Sequence, residues 1–450
     1  MTPGRALATA AALTVSALLG AGGCRDDQRS RPDPGATLPV AGPRPTPAPP
    51  SLEDRIDRAL VQATSFLLAQ QGDDGSFRSQ GYGAFRDGYS LTPLALTALG
   101  FVHPSEMAAA DAAAPELTDQ RVKAAYRRGV DFVATLVDEE GEVQAGLDGP
   151  SYPYYAIPEA ILVLNAPGNE RHRATRATLL EHLRARQLTE DRGWTATDVS
   201  YGGWSYFPGR PDKDATGGRP DPRLTANLSV TLYSLGAMRL AGIPATDPAL
   251  VKARGFVERC QNLLAADADP REPYDDGGFF FSPAVPDSNK AGVAGVDAAG
   301  RSRYRSYGSM TADGLRALVR LGLPMEHPRV RAASAWLTAH FDPSRNPGEF
   351  PAEAEVRRES SYYYYVWSAA HALRAVGASE LALPGGREHW ARALAEALLA
   401  RQREDGAWAN EYTELREDDP LLATPFAMAA LLTARMVLAG THQSHSATPP

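Results

Sequence analysis

Tyrosine and tryptophan collect at the starts of apolar stretches in this chain. Tyr89, Tyr154, Tyr155, Trp204, Tyr206, Tyr307, the run Tyr362 to Tyr365, and Trp367 all fall there. Aromatic walls suit an isoprenoid, a sterol-like lipid or a sugar ring. Plain core packing at helix entries explains any one of them as readily. The four-tyrosine run weighs against that bland reading, since burying four adjacent hydroxyls in a dry core is costly. The rim residues that make a candidate ligand site are Tyr89, Tyr155, Trp204, Tyr206, Asn227, Tyr307, Tyr364 and Trp367.

Six acids fall near the same stretches: Asp87, Asp275, Asp276, Asp313, Asp418 and Asp419. Helix capping accounts for Asp418 and Asp419 more simply than catalysis does. Asp313 differs, because it sits inside an otherwise apolar helix start in "YGSMTADGL". It is the one candidate for a carboxyl with a perturbed pKa and a catalytic role. Cys260, in the helical pattern "VKARGFVERCQNLL", reads as core rather than nucleophile. No spacing suggests a metal or cofactor site, and none is expected.

The elements that must position these residues form a repeat. "AQQGDDGSFRS" at Ala69 to Ser79 and "RQREDGAWAN" at Arg401 to Asn410 share Gln, three residues, Gly, one residue, aromatic. Four degenerate versions lie between them. The glycines 75, 141, 203, 277, 348 and 406 are separated by 66, 62, 74, 71 and 58 residues, each interval long enough for two helices. In each unit an amphipathic helix precedes the turn, as in "ARALAEALLARQ", and a nearly uncharged one follows, as in "LTANLSVTLYSLGAMRLAG". The amphipathic helices therefore belong outside and the apolar ones inside. Six pairs would close an all-α, single (α/α)6 toroid of about twelve helices, with the first and last turns sealing the seam. The turn residues Gln71, Gln402, Phe77 and Trp408 read as structural: Gly ends the helix left-handed and Gln bonds backbone groups left unpaired there.

"LLARQREDGAWAN" and "FLLAQQGDDGSF" resemble the QW repeat of squalene–hopene cyclases and related terpene cyclases, and the similar repeats of protein prenyltransferase β-subunits. The resemblance runs over about 51–440 and implies the toroid. It also implies chemistry that these residues do not carry. The cyclases protonate an isoprenoid double bond with an aspartate of an Asp-x-Asp-Asp-Thr sequence. In the counterpart "NLSVTLYSLGAM", Thr231 matches the threonine, whereas Asn227, Ser229 and Val230 replace the acids. Neither hydroxyl nor amide delivers a proton to an alkene as that acid must. The zinc set of the prenyltransferases is missing too: Val366 stands where a histidine belongs, and His371 has no Cys partner. A thioester sequence of complement-type toroids does not occur.

The N-terminus reads as an export signal. Arg5 precedes an uncharged apolar stretch that ends in small residues before Cys24. This resembles a bacterial lipoprotein signal, with Ala21 where leucine is usual; an ordinary signal with an incidental cysteine is the alternative. Eight prolines between Arg31 and Pro50 make a stiff spacer, reaching ~3 Å per residue. The expected organisation is a signal peptide at 1–23, lipidation at Cys24, a tether at 24–50, the toroid at 51–440 and a disordered tail at 441–450. No later segment reads as a membrane span. Formal charge is −8, with both signs interspersed, so nucleic acid is an unsuitable partner.

The expectation is an exported protein of the bacterial cell envelope, lipid-anchored and monomeric. Its toroid would bind an apolar, isoprenoid-like ligand or a partner without the usual cyclase or zinc chemistry. The alternatives are a divergent squalene cyclase or isomerase and a carbohydrate-active toroid enzyme. The residues leave open whether it is an enzyme.

Overall fold

The computed structural model describes residues 49–107, 114, 116–144, 150–213, 221–263, 274–297, 300–383 and 385–440. The expected signal sequence, Cys24, the spacer up to residue 48 and the tail 441–450 lie outside them. The helices in chain order are α1 (Leu52–Gln70), α2 (Leu91–Leu99), α3 (Asp119–Ala134), α4 (Pro153–Asn165), α5 (Arg173–Ala185), α6 (Leu228–Leu240) and α7 (Pro248–Arg259). There follow α8 (Gly308–Arg320), α9 (Pro328–His340), the single-turn α10 (Glu355–Glu359), α11 (Tyr362–Ala375), α12 (Trp390–Leu399) and α13 (Pro420–Leu438). Apart from α10 they make six pairs.

Hydrophobic patterning decides which member of a pair lies inside. α3 buries Val122, Ala125, Val130 and Val133 and turns its charged residues to water. α6 has every residue from Leu228 to Met238 buried, so it needs neighbours on all sides. The inner helices α2, α4, α6, α8, α11 and α13 each pack on the next, and α13 packs on α2. That last contact closes the ring, and the fold is the (α/α)6 toroid. α13 is long and apolar enough to cross a bilayer, but here it is an inner helix of the ring.

The seam is tied by the two ends of the chain. Arg435 of α13 grips the buried Asp57 of α1, Nε to Oδ1 at 2.5 Å and a terminal nitrogen to Oδ2 at 3.1 Å. Arg55 meets Glu396 at 2.9 and 2.7 Å, a half-exposed pair that contributes little.

The repeat turn works as one device four times. The Gln71 side-chain amide donates to Gly75 O (2.9 Å) and to Ala125 O of the next outer helix (2.8 Å). Gln187 does the same to Gly202 O and Ala249 O, both at 2.8 Å. Gln261 reaches Gly277 O and Arg329 O at 3.0 and 2.9 Å. Gln402 donates to Gly406 O and, across the seam, to Ala59 O, both at 2.8 Å. The amide two residues after the turn glycine, or the aromatic's own, is then tied inward. Phe77, Trp204, Phe279 and Trp408 donate their backbone N–H to Thr92, Thr231, Thr311 and Thr424 of the following inner helix. Gly75 and Gly406 are left-handed at φ 88 and 87, and a Cβ there would strike the Arg128 carbonyl or the Gln62 backbone. In the third unit the left-handed glycine is Gly202, one residue before Gly203. Two hairpins, β1–β2 (Val293–Val296, Ser302–Tyr304) and β3–β4 (Glu380–Leu383, Gly386–His389), sit in the connections, short additions to the expected all-α ring.

Candidate functional site

The inner helices surround a cavity of about 330 Å³. That lies at the low end of the roughly 300–1,000 Å³ typical of ligand pockets. Its wall is aromatic and apolar: Phe85, Leu94, Tyr152, Tyr154, Tyr155, Tyr206, Tyr233, Phe281, Met310, Tyr364 and Phe426. Five charged residues interrupt it: Glu159, Lys290, Glu414, Arg416 and Glu417.

Each tyrosine of the run Tyr362 to Tyr365 has its own answer to burial. Tyr362 Oη donates to Pro343 O (2.9 Å), Tyr363 Oη to Ala409 O (3.3 Å) and Tyr365 Oη to Asp342 O (3.0 Å). Backbone carbonyls of neighbouring loops thus satisfy three hydroxyls inside the core. Only Tyr364 lines the cavity.

Tyr364 is held from both ends. Its backbone N–H and that of Tyr363 donate to the two oxygens of Glu417, each at 2.8 Å, so this carboxylate caps the start of α11. Its hydroxyl donates to Asp313 Oδ2 at 2.6 Å. Asp313 also accepts from Ser368 Oγ (2.5 Å), and Arg316 lies 3.9 Å away, itself bonded to Ser368 (3.0 Å) and stacked over Trp367 at 4.2 Å. Burial pushes the Asp313 carboxyl up, against the pull of Arg316 and its two hydroxyl donors. Asp313 is fully buried and reaches the cavity wall only through Tyr364.

A line of hydroxyls continues from there. Ser229 Oγ is 2.7 Å from Tyr364 Oη, Tyr155 Oη is 3.3 Å from Ser229, and Tyr206 Oη is 2.9 Å from Tyr155. With Tyr364 donating to Asp313, the protons order as Tyr206 to Tyr155 to Ser229 to Tyr364. Burial raises these phenols above their usual range, Tyr155 to about 12, so they remain neutral at physiological pH.

Among the described residues, the side chains of Glu159 and Lys290 stand without a hydrogen-bond partner in the cavity. Glu159, on α4, is 5% exposed and meets neither a hydrogen-bond donor nor a cation. Burial alone drives its carboxyl well above the usual range, which favours the neutral form. Lys290 has no acceptor for its ammonium, which lies 5.3 Å from the Phe281 ring centre. Glu417 is pushed up to about 7 by burial, against its three hydrogen-bond donors. Arg416 guards the mouth: its guanidinium lies 5.3 Å from Tyr152, 5.5 Å from Tyr82 and 5.6 Å from Phe85. It is also the sole non-glycine with a left-handed backbone among the described residues, at φ 63, a conformation kept only where the surroundings enforce it.

Of the rim residues proposed from sequence, Tyr155, Tyr206 and Tyr364 line the cavity. Trp367 backs the wall, its ring 5.4 Å from Tyr364 and 5.2 Å from Phe426. Tyr89 bonds Thr135 and Gln144 away from it. Trp204 is 2% exposed and donates from its indole to Leu183 O at 2.8 Å. Tyr307 is fully buried against Phe350. Asn227 caps α6, accepting from Val230 N at 3.0 Å. Glu159, Lys290, Arg416 and Glu417 went unremarked in the sequence. A glutamate inside the apolar run "YPYYAIPEAILVLNA" was the one signal available. His371 Nδ1–H donates to Trp367 O (2.9 Å), and burial lowers its pKa to about 3, so it stays neutral. Asp419 caps α13, whereas Asp418 holds Tyr82 Oη at 2.7 and 2.8 Å. No group of three or more His, Cys, Asp or Glu fit to hold a metal occurs among the described residues.

No protein-family model and no curated protein matches the chain. Solved structures do resemble it. The type II terpene cyclase MstE from Scytonema, in complex with geranylgeranyl dihydroxybenzoate, is 13% identical over 85% of this chain and 98% of its own, with a TM-score of 0.48. A protein from Actinoplanes is 16% identical over 85% and 99%, with a TM-score of 0.47. A glycosidase is 12% identical over 86% and 97%, with a TM-score of 0.43. Likeness at this level says nothing of the chemistry in this cavity.

Proposed function

We propose that the protein is a ligand-binding toroid that holds a small, largely apolar molecule, isoprenoid-like in character, in its central cavity. The observation that carries this reading is the aromatic cavity itself, open to a ligand and lined by six tyrosines, of which Tyr155, Tyr206 and Tyr364 have their hydroxyls engaged in one hydrogen-bonded line. Such a wall offers mainly apolar faces, so the hydrophobic effect supplies most of the affinity. In the same proposal the chain is exported and anchored by a lipid at Cys24, with the toroid carried on the proline-rich spacer as a monomer. The test is native mass spectrometry of the full chain after exposure to a lipid extract of its source cells. A retained small lipid supports the reading; an empty cavity against every lipid fraction removes it.

A second reading, a divergent cyclase or isomerase, is favoured by one observation. Glu159 is a neutral carboxyl on an aromatic wall, the state a proton donor to an alkene requires. It lies on the cavity wall itself, whereas Asp313 lies behind Tyr364. Turnover of squalene or a shorter polyene by wild-type protein, lost in Glu159→Gln, would establish catalysis.

A further inference from the structure

We propose that the cavity is a site for a monocarboxylate with an apolar body, and that Lys290 receives the carboxylate. This rests on the cavity being a ligand site and adds which chemical class fills it.

Lys290 is delivered into the cavity by its neighbours. Asn289 before it is fully buried, its side chain accepting from Phe281 N at 2.7 Å and donating to Ser282 O at 3.0 Å. Ala291 after it is fully buried as well. With both flanking residues fixed in the core, the backbone at Lys290 is held in place and the side chain is half-buried at the cavity wall. It lies along the Phe281 ring, and its ammonium faces the cavity. A positive charge placed inside a protein is stable only with a counter-charge or acceptors.

The charged groups that face it are Asp313, Glu417 and Arg357. Neither acid offers Lys290 a hydrogen bond. The Asp313 oxygens are engaged by Tyr364 and Ser368, and those of Glu417 by the backbone of Tyr363 and Tyr364 and by Asn410. A ligand carboxylate would supply the acceptor that the protein does not. One ammonium between two engaged acids suits a single negative charge. A dianionic phosphate would meet repulsion from both acids against one cation, and Lys supplies no fork for it. The rest of the molecule then lies between Tyr206, Tyr233, Phe281 and Phe426, and the neutral Glu159 is a donor for any second oxygen it carries.

The experiment titrates the full chain with geranic acid and with geraniol, read by tryptophan fluorescence, since Trp367 stacks behind the wall. Wild type should bind the acid at least tenfold tighter than the alcohol. Lys290→Met should lose at least tenfold for the acid and less than twofold for the alcohol, and Lys290→Arg should keep the acid preference. Equal binding of acid and alcohol by wild type, or equal loss of both in Lys290→Met, overturns the carboxylate assignment while leaving the cavity reading intact. Binding of neither probe overturns both.

Discussion

The side-chain amide of Gln402 donates to the carbonyl of Ala59, 343 residues earlier in the chain. The same amide closes its own turn on Gly406. One side chain therefore fixes a local turn and joins the last outer helix to the first.

Replacing it tests whether the seam is held there. Gln402→Ala should destabilise by about 1–3 kcal/mol, since it leaves Gly406 O unpaired and removes the bond to Ala59 O across the seam. Hydrogen exchange should show α1 opening more often than α7. Uniform loss of protection around the ring would contradict a local seam.

Asp313 and Arg316 are best probed together. Asp313→Asn strands a buried guanidinium, and breaking a buried pair from one side costs roughly 3–5 kcal/mol. Asp313→Asn with Arg316→Met should recover most of that loss in urea denaturation. Additive losses would mean that Tyr364 and Ser368, not the charge pair, are what Asp313 secures.

Glu417 makes stability fall with rising pH. Its carboxyl ionises near 4.5 in the unfolded chain and near 7 in the folded one, so the unfolded state loses its proton first. Stability is thus highest below about pH 4.5 from this group and declines up to about pH 7, by roughly 3 kcal/mol at most. Glu159 acts in the same direction. Glu159→Gln should raise Tm more at pH 8 than at pH 5; an equal shift at both would show that Glu159 does not titrate as its burial demands.

Tyr364→Phe cuts the hydroxyl line between Asp313 and Ser229. The expected loss is about 1–2 kcal/mol of stability, with a change in Trp367 emission, because the indole rests on the altered ring. Unchanged emission would show that the hydroxyl line does not set the position of the ring against Trp367.

The ring was legible because it is written in periodicity. Gln71 and Gln402, with their glycines and aromatics, recur at both ends, and apolar helices such as α6 admit no exposed face. Gln187 and Gln261 do the same work but escaped notice, because loops of different length separate them from their glycines. The cavity was legible only in part. Aromatics at helix starts were visible, yet helix phase decides which of four adjacent tyrosines turns inward, and composition does not encode it. Lys290 and Arg416 arrive from loops, where no period exists, and Thr231 proved to be one of four equivalent tethers rather than a remnant of a reactive motif.

A closed ring has a fixed membership. In an open solenoid a duplicated unit lengthens the array at its end; here α13 must meet α2, and a seventh pair would have no place to stand. Evolution of such a molecule by copying units is therefore barred once the circle is complete. The freedom that remains lies in the connections, and those are the segments that carry Lys290 and Arg416 to the centre.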